Sequence, residues 1–174
     1  QPESSAASDV YKRQGYHGSS YLAATVSGTG REHDRRYMDT HQDLAIMLPN
    51  INPYIRPSGT SLEEWCNEKI SEMEETILSI GSEQIGCFIA EPILASGGVI
   101  VPPSGYHQRS LELCKKHDIV YISDETVTGF GRLGHWFASK EVFGIQPDII
   151  TCAKGLTSGY LPMGAAIISE RLID

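Results

Sequence analysis

The spacing of apolar residues predicts alternating strands and helices from Gly15 onward. Short apolar runs at 85–90, 118–123, 147–153 and 164–169 are typical of buried strands. Segments 61–81 and 105–117 carry apolar residues three or four positions apart, and a capping box of Ser61 and Glu64 opens the first of them. Strands separated by helices predict an α/β fold with three layers, in which helices flank a mostly parallel sheet.

Two other segments differ from this pattern. Residues 1–14 are polar and rich in small side chains, so we interpret them as a disordered leader or junction sequence that precedes one domain at 15–174. A polar stretch from Thr29 to Gly59 holds three prolines and predicts a long surface loop. The stretch before it, 19–28, has the small residues of a closely packed helix.

Composition excludes several classes of protein. Acidic residues outnumber basic ones by 22 to 14, a net charge of −8, which argues against nucleic acid as a partner. The four cysteines are widely spread without a C-x-x-C motif, so we expect no metal site and no disulfide framework, in a reducing cytoplasm. No apolar run is long enough to span a membrane, and we expect no membrane partner.

Three glycines, Gly129, Gly131 and Gly134, have the G-x-G-x-x-G spacing of a dinucleotide-binding loop. In such a loop the first glycine follows a strand directly, and an acidic residue comes about 20 positions later. Here D-E-T-V-T separates the strand from Gly129, and no acid ends a strand at the right distance, because Asp148 is only 14 residues after Gly134 and begins its strand. We therefore expect a turn without a phosphate cradle, although a nucleotide-binding domain without catalytic activity remains an alternative.

A carboxylate and an amine follow two successive predicted strands. Asp124 directly follows the run at 118–123, and Lys154 directly follows the run at 147–153. Ligands of parallel α/β sheets bind beyond the carboxyl ends of the strands, so we expect both side chains to face one cleft there. Each residue alone has an ordinary explanation, as a turn cap or a surface lysine. Together they suit pyridoxal phosphate, which needs a lysine for its aldehyde and an aspartate for its pyridine nitrogen.

Four segments, in this order, resemble the class III aminotransferases, which are fold-type I pyridoxal-phosphate enzymes: GYHG, EPILASGGVIVPP, DETVTGFGRLG and PDIITCAKGLTSGYLPMGA. The resemblance runs from Gly15 to Asp174 and is strongest to the amine or ω-amino acid:pyruvate transaminases. It implies a homodimer that transfers an amino group from an amine or ω-amino acid to a small 2-oxo acid such as pyruvate. A lyase or aminomutase that uses the same lysine and aspartate is an alternative.

The resemblance also implies residue roles. Lys154 would be the catalytic residue, which holds the cofactor as a Schiff base and moves the substrate proton. Asp124 would pair with the pyridinium nitrogen, Tyr16 would stack on the ring from the side of the cleft, and Glu91 would support the site from behind. The implied cofactor-binding residues are Tyr16, His17, Asp124, Thr126, Val127 and Lys154. For His17, bracing the turn of the GYHG segment is an equally open alternative.

Two positions depart from the family pattern. Thr126 stands where the family has Val or Ile against the cofactor ring, which keeps the β-branched shape but adds a hydroxyl. Ser96 stands where ornithine-type members have a glutamate that gates a substrate-binding arginine, which favours pyruvate over 2-oxoglutarate as acceptor. The family's phosphate cup and small domain are not in this sequence, so we expect residues 15–174 to be the central part of the large domain of a longer enzyme.

Overall fold

The computed structural model describes residues 15–28, 40 and 42–173. The predicted leader at 1–14 lies outside the described residues, as do 29–39 and 41 of the predicted surface loop. All four predicted strands and the two long predicted helices fall inside them.

The described residues form a four-stranded sheet. Its strands are β1 (Cys87–Ala90), β2 (Val120–Asp124), β3 (Ile149–Cys152) and β4 (Ala165–Ile168). They lie side by side in that order, with β1, β2 and β3 parallel and β4 antiparallel to β3. The predicted mostly parallel sheet is therefore confirmed. The three parallel strands end at one edge, where Asp124 lies opposite Thr151 of β3.

Helices alternate with these strands. The described α-helices are α1 (Tyr21–Thr25), α2 (Leu62–Ile80), α3 (Tyr106–Lys116) and α4 (Ala138–Glu141). Short 3₁₀ turns cover Gln42–Leu44, Pro53–Ile55, Ser82–Gln84, Lys154–Leu156 and Glu170–Leu172. The capping box of α2 is present, because Glu64 N donates to Ser61 Oγ and Ser61 N donates to the Glu64 carboxylate. Within the described ranges, no helix combines the length and the apolar character needed to cross a membrane.

The core lies between α2, α3 and the sheet. Met73 and Ile77 of α2, Leu111 of α3 and Tyr121 of β2 are buried in one apolar cluster. Since α3 stands between β1 and β2 in the chain, its burial here holds the two strands in parallel register.

A buried histidine joins α3 to this core. His107 Nε2 donates to the Pro92 carbonyl, which can only accept, so Nδ1 accepts from the Tyr121 hydroxyl. The two distances are 3.0 and 2.9 Å. Burial lowers the pKa of His107 to about 4, and the ring is therefore neutral in the folded protein.

Candidate active site

Asp124 and Lys154 lie at the same edge of the sheet. Asp124 is the last residue of β2, and Lys154 opens the 3₁₀ turn that follows β3 after one residue. Because β2 and β3 are parallel neighbours, their carboxyl ends meet, as the sequence predicts. Asp124 is buried and Lys154 is exposed. That their side-chain ends share one cleft stays a prediction.

Both carboxylate oxygens of Asp124 accept hydrogen bonds. His17 Nδ1 donates to Oδ2 over 2.8 Å, and Thr126 N donates to Oδ1 over 3.0 Å. Burial would raise the pKa of Asp124, but these hydrogen bonds outweigh it and hold the pKa below its ordinary value. Asp124 therefore carries a negative charge while only 6% of its surface is exposed.

Residues 15–28 form a closed loop that brings His17 to Asp124. The His17 amide donates to Ser27 Oγ, and Ser27 Oγ donates to the Ala23 carbonyl of α1. Gly28 N donates to the Gly15 carbonyl and closes the loop. The sequence left His17 between bracing this turn and touching the cofactor. The structure shows the ring on Asp124, and it adds the fully buried Ser27, which sequence reasoning missed.

The Glu91 side chain links the same loop to the segment that follows β1. Its Oε1 accepts from the Tyr16 amide over 2.8 Å, and its Oε2 accepts from the Ala95 amide over 3.0 Å. Burial raises the pKa of Glu91 against these two hydrogen bonds. Glu91 thus holds the main chain of Tyr16, and its support of a cofactor site stays a prediction. Ser96, next to Ala95, is exposed on the turn that the Leu94–Ile100 bridge closes.

Lys154 has an unusual backbone conformation. Its φ is 32°, in the left-handed region that side chains with a Cβ rarely adopt. Such a conformation costs about 1–3 kcal/mol and persists only where neighbouring structure enforces it. The following turn begins at once, with Leu156 N donating to the Ala153 carbonyl. The backbone of Lys154 is therefore held by its surroundings.

Residues 126–134, which follow the end of β2, form a closed turn, the glycine turn. Amides of Gly129, Phe130 and Gly131 donate to the carbonyls of Glu125, Trp136 and His135, and Gly134 N donates to the Gly131 carbonyl. In this described stretch the next helix, α4, begins only at Ala138. The amides of the three glycines and of Phe130 are thus used inside the turn, which is the predicted turn, and the expectation that it cradles no phosphate stays a prediction. Thr126 and Val127 lie half-buried at its start.

Glu125 is the structural residue that sequence reasoning missed. Its side chain is fully buried and accepts from Thr128 Oγ1, Ala138 N, Ser139 N and Ser139 Oγ at 2.6–2.8 Å. It thereby joins the end of β2 to the first turn of α4, which follows the glycine turn. A signal was available, since carboxylates commonly accept from the first amides of a helix.

These residues form an α/β domain whose donor set fits pyridoxal phosphate. A lysine amine suits the cofactor aldehyde, and a charged, buried carboxylate suits the protonated pyridine nitrogen. The family model described as aminotransferase class-III matches residues 5–174. The chain belongs to the class III aminotransferases.

Individual relatives agree with this assignment. An uncharacterized aminotransferase, y4uB, of Sinorhizobium fredii is 38% identical over 163 residues, which are 94% of this chain and 34% of the relative. Gamma aminobutyrate transaminase 3, chloroplastic, of Solanum lycopersicum is 37% identical, over 95% of this chain and 31% of the relative. The ω-transaminase of Pseudomonas jessenii in complex with PMP superposes with a TM-score of 0.82 and 36% identity, over 92% and 35% of the two chains. The chain thus spans about a third of the length of these relatives.

Proposed function

We propose that residues 15–174 are the central part of the large domain of a longer pyridoxal-phosphate-dependent aminotransferase. The observation that carries the proposal is the pairing at the sheet edge. A charged, buried carboxylate ends β2, and a lysine follows the parallel neighbour β3. The two groups that this cofactor needs therefore come from adjacent strands.

The proposed chemistry divides between two side chains. Pyridoxal phosphate, when bound, supplies an aldehyde that reacts with amines and a pyridinium ring that withdraws electrons from the neighbouring carbon. Lys154 Nζ would hold the cofactor and, once displaced by the substrate amine, would move a proton between the substrate α-carbon and the carbon of the cofactor that carries its aldehyde. Asp124 would hold the proton on the pyridine nitrogen, because its own pKa is kept low by His17 and Thr126.

Further residues would orient the cofactor. The Tyr16 ring would stack on it, since Glu91 fixes the Tyr16 amide beside the loop that reaches Asp124. His17 would act on the cofactor through Asp124. Thr126 and Val127, half-buried two and three residues after β2, would contact the ring from the opposite side.

We propose an amine or ω-amino acid as donor and a small 2-oxo acid such as pyruvate as acceptor. Two of the relatives carry names of this substrate class, an ω-transaminase and a gamma aminobutyrate transaminase. Ser96 supports a small acceptor, because an exposed neutral hydroxyl stands where a gating glutamate would be needed. The full-length enzyme would be a cytoplasmic homodimer, which gel filtration and cell fractionation would test.

The cofactor assignment is tested by absorbance. Full-length protein mixed with pyridoxal phosphate should develop the visible band of the lysine-bound cofactor. Lys154→Ala should lose the band and nearly all turnover, whereas Lys140→Ala, at an exposed lysine of α4, should keep both. A band in Lys154→Ala, or binding of NAD in place of pyridoxal phosphate, would refute the proposal.

The reaction is tested by amino transfer. The wild-type protein should aminate pyruvate more efficiently than 2-oxoglutarate, with amines or ω-amino acids as donors. A band without transfer to any 2-oxo acid would refute transamination and leave a lyase or aminomutase of the same fold. Preference for 2-oxoglutarate would refute the argument from Ser96 alone.

A further inference from the structure

We propose that Phe130, in the glycine turn, is a positioning residue that fixes the backbone of Lys154 and thereby aims its amine. The proposal rests on the proposed role of Lys154. It also assigns a role to the glycine turn, whose glycine amides are paired within the turn itself.

The main evidence is a close contact between the side chain of Phe130 and the main chain of Gly155. A methyl group on Gly155 would lie 2.8 Å from Phe130 Cβ and 3.2 Å from Phe130 Cδ2. Carbon atoms that are not bonded do not approach so closely, so the Phe130 side chain lies directly on the Gly155 main chain. Gly155 follows Lys154, and the contact therefore lies one residue from the proposed catalytic lysine.

The contact involves two residues with unusual backbone conformations. Phe130 is one of them, and Gly155 directly follows the other, Lys154. Phe130 has φ 58° and Lys154 has φ 32°, and left-handed conformations are unusual for such bulky residues. Strain of this kind persists only where the surroundings fix it, and it is concentrated at functional sites. The packing of Phe130 on Gly155 provides such a constraint for Lys154.

Phe130 is itself held firmly. Its amide donates to the Trp136 carbonyl over 2.7 Å, and its ring meets the Trp136 and Phe137 rings edge to face at 6.2 and 5.6 Å. The preceding Gly129 admits no side chain, because a methyl group there would lie 2.9 Å from the Glu125 carbonyl oxygen. The turn therefore presents Phe130 in one orientation.

The turn begins at the carboxylate that the cofactor would need. Asp124 is followed by Glu125, whose amide donates to the Thr151 carbonyl of β3 over 2.8 Å. The segment 124–130 thus runs from the proposed pyridine partner to the residue that packs beside the proposed lysine. A rigid segment of this kind fixes the distance between carboxylate and amine, which one cofactor molecule must span.

The two contacting positions allow a sharp pair of substitutions. The φ of Gly155 lies outside the left-handed region, so alanine fits its backbone and only Phe130 opposes it. At Phe130, glycine suits the left-handed φ and removes both the ring and Cβ, whereas alanine keeps the Cβ that lies 2.8 Å from the methyl position. Arg132, exposed in the same turn, offers a matched control.

The test uses the full-length protein and two readouts. In cofactor-free protein, Phe130→Gly and Gly155→Ala should each slow the appearance of the visible band with pyridoxal phosphate, about tenfold or more. In the loaded enzyme, kcat should fall about 10- to 100-fold with KM for the amine nearly unchanged, because a misaimed group costs rate more than binding. Arg132→Ala should change neither quantity, and Phe130→Leu, which keeps Cβ and bulk, should stay near wild type.

Combined variants decide whether the contact is responsible. Adding Phe130→Gly to Gly155→Ala should leave the protein no worse than Phe130→Gly alone, whereas adding Phe130→Ala should not rescue Gly155→Ala. If the effects of Phe130→Gly and Gly155→Ala on the rate of band formation multiply in the double variant, the proposal is overturned. A wild-type rate of band formation in Gly155→Ala would also overturn it. If Phe130→Gly does not fold, Gly155→Ala carries the test. A band that survives Lys154→Ala would instead refute the proposed function.

Discussion

Glu125→Gln isolates the buried carboxylate that joins β2 to α4. Glutamine has almost the same shape as glutamate, but one carboxylate oxygen becomes an NH₂ group. In the wild-type protein one oxygen accepts from Thr128 Oγ1 and the Ala138 amide, and the other accepts from the Ser139 amide and hydroxyl. All of these groups are donors, so the new NH₂ must face two of them.

The structure gives the magnitude of the loss. Each pair contains one hydroxyl, of Thr128 or of Ser139, and a hydroxyl can turn to accept from the NH₂ group. Each pair also contains one backbone amide, which cannot accept. Whichever way the new glutamine side chain lies, one amide of Ala138 or Ser139 therefore stays buried and unpaired, at a cost of about 2 kcal/mol. That cost corresponds to about 30-fold easier local opening.

Hydrogen exchange measures this opening directly. Peptides that cover 136–142 should exchange about 30-fold faster in Glu125→Gln than in wild type, while peptides from α2 should not change. Glu141→Gln, an exposed glutamate of the same helix, is the control and should leave exchange within a factor of about two. Unchanged protection of 136–142 in Glu125→Gln would refute the hydrogen-bond account of this carboxylate.

Three further predictions concern the site and its support. Asp124→Asn should still bind pyridoxal phosphate but slow α-proton removal by orders of magnitude, as single-turnover kinetics would show; near-native turnover would leave Asp124 as a turn cap. Glu91→Gln should weaken cofactor binding about tenfold in a titration, because its NH₂ cannot accept from the amide of Tyr16 or Ala95, and unchanged affinity would contradict this support. Burial lowers the pKa of His107 from 6.5 to about 4, so the unfolded chain binds its proton first as pH falls. Stability should then be full above pH 6.5 and fall by up to about 3 kcal/mol towards pH 4 in denaturant titrations, and His107→Gln should remove that component.

Local patterns in the sequence predicted the elements well. The capping box of α2 and the spacing of its apolar residues involve neighbours within a turn or two, so the sequence alone specifies them. The juxtaposition of Asp124 and Lys154 was also predictable, because parallel strands bring their carboxyl ends to one edge. The direction of β4 was not predicted from the sequence. The segment 153–164 holds only a short 3₁₀ turn and no α-helix to carry a parallel crossover, and the strand returns antiparallel.

Contacts between distant segments were not predictable. His17 meets Asp124 from 107 positions earlier in the chain, and the notable feature of the sequence there is only a histidine between tyrosine and glycine neighbours. The Phe130 side chain reaches Gly155 because the turn folds back on the sheet edge. Neither contact leaves a periodic signal, since each depends on how two loops are oriented by the sheet beneath them.

The glycine spacing shows why a motif must be tested by the use of its amides. In a dinucleotide loop, glycines let a phosphate approach amides that are left open. In this chain Gly129 is required by the close Glu125 carbonyl, while Gly131 and Gly134 adopt φ of 87° and 85° in a turn that already pairs all three glycine amides. The same spacing therefore arises from a different need, which is to reverse the chain tightly after Asp124. Because the chain reverses there, Phe130 packs against Gly155, the residue that follows Lys154. The paired substitutions at Phe130 and Gly155 test whether this packing positions Lys154.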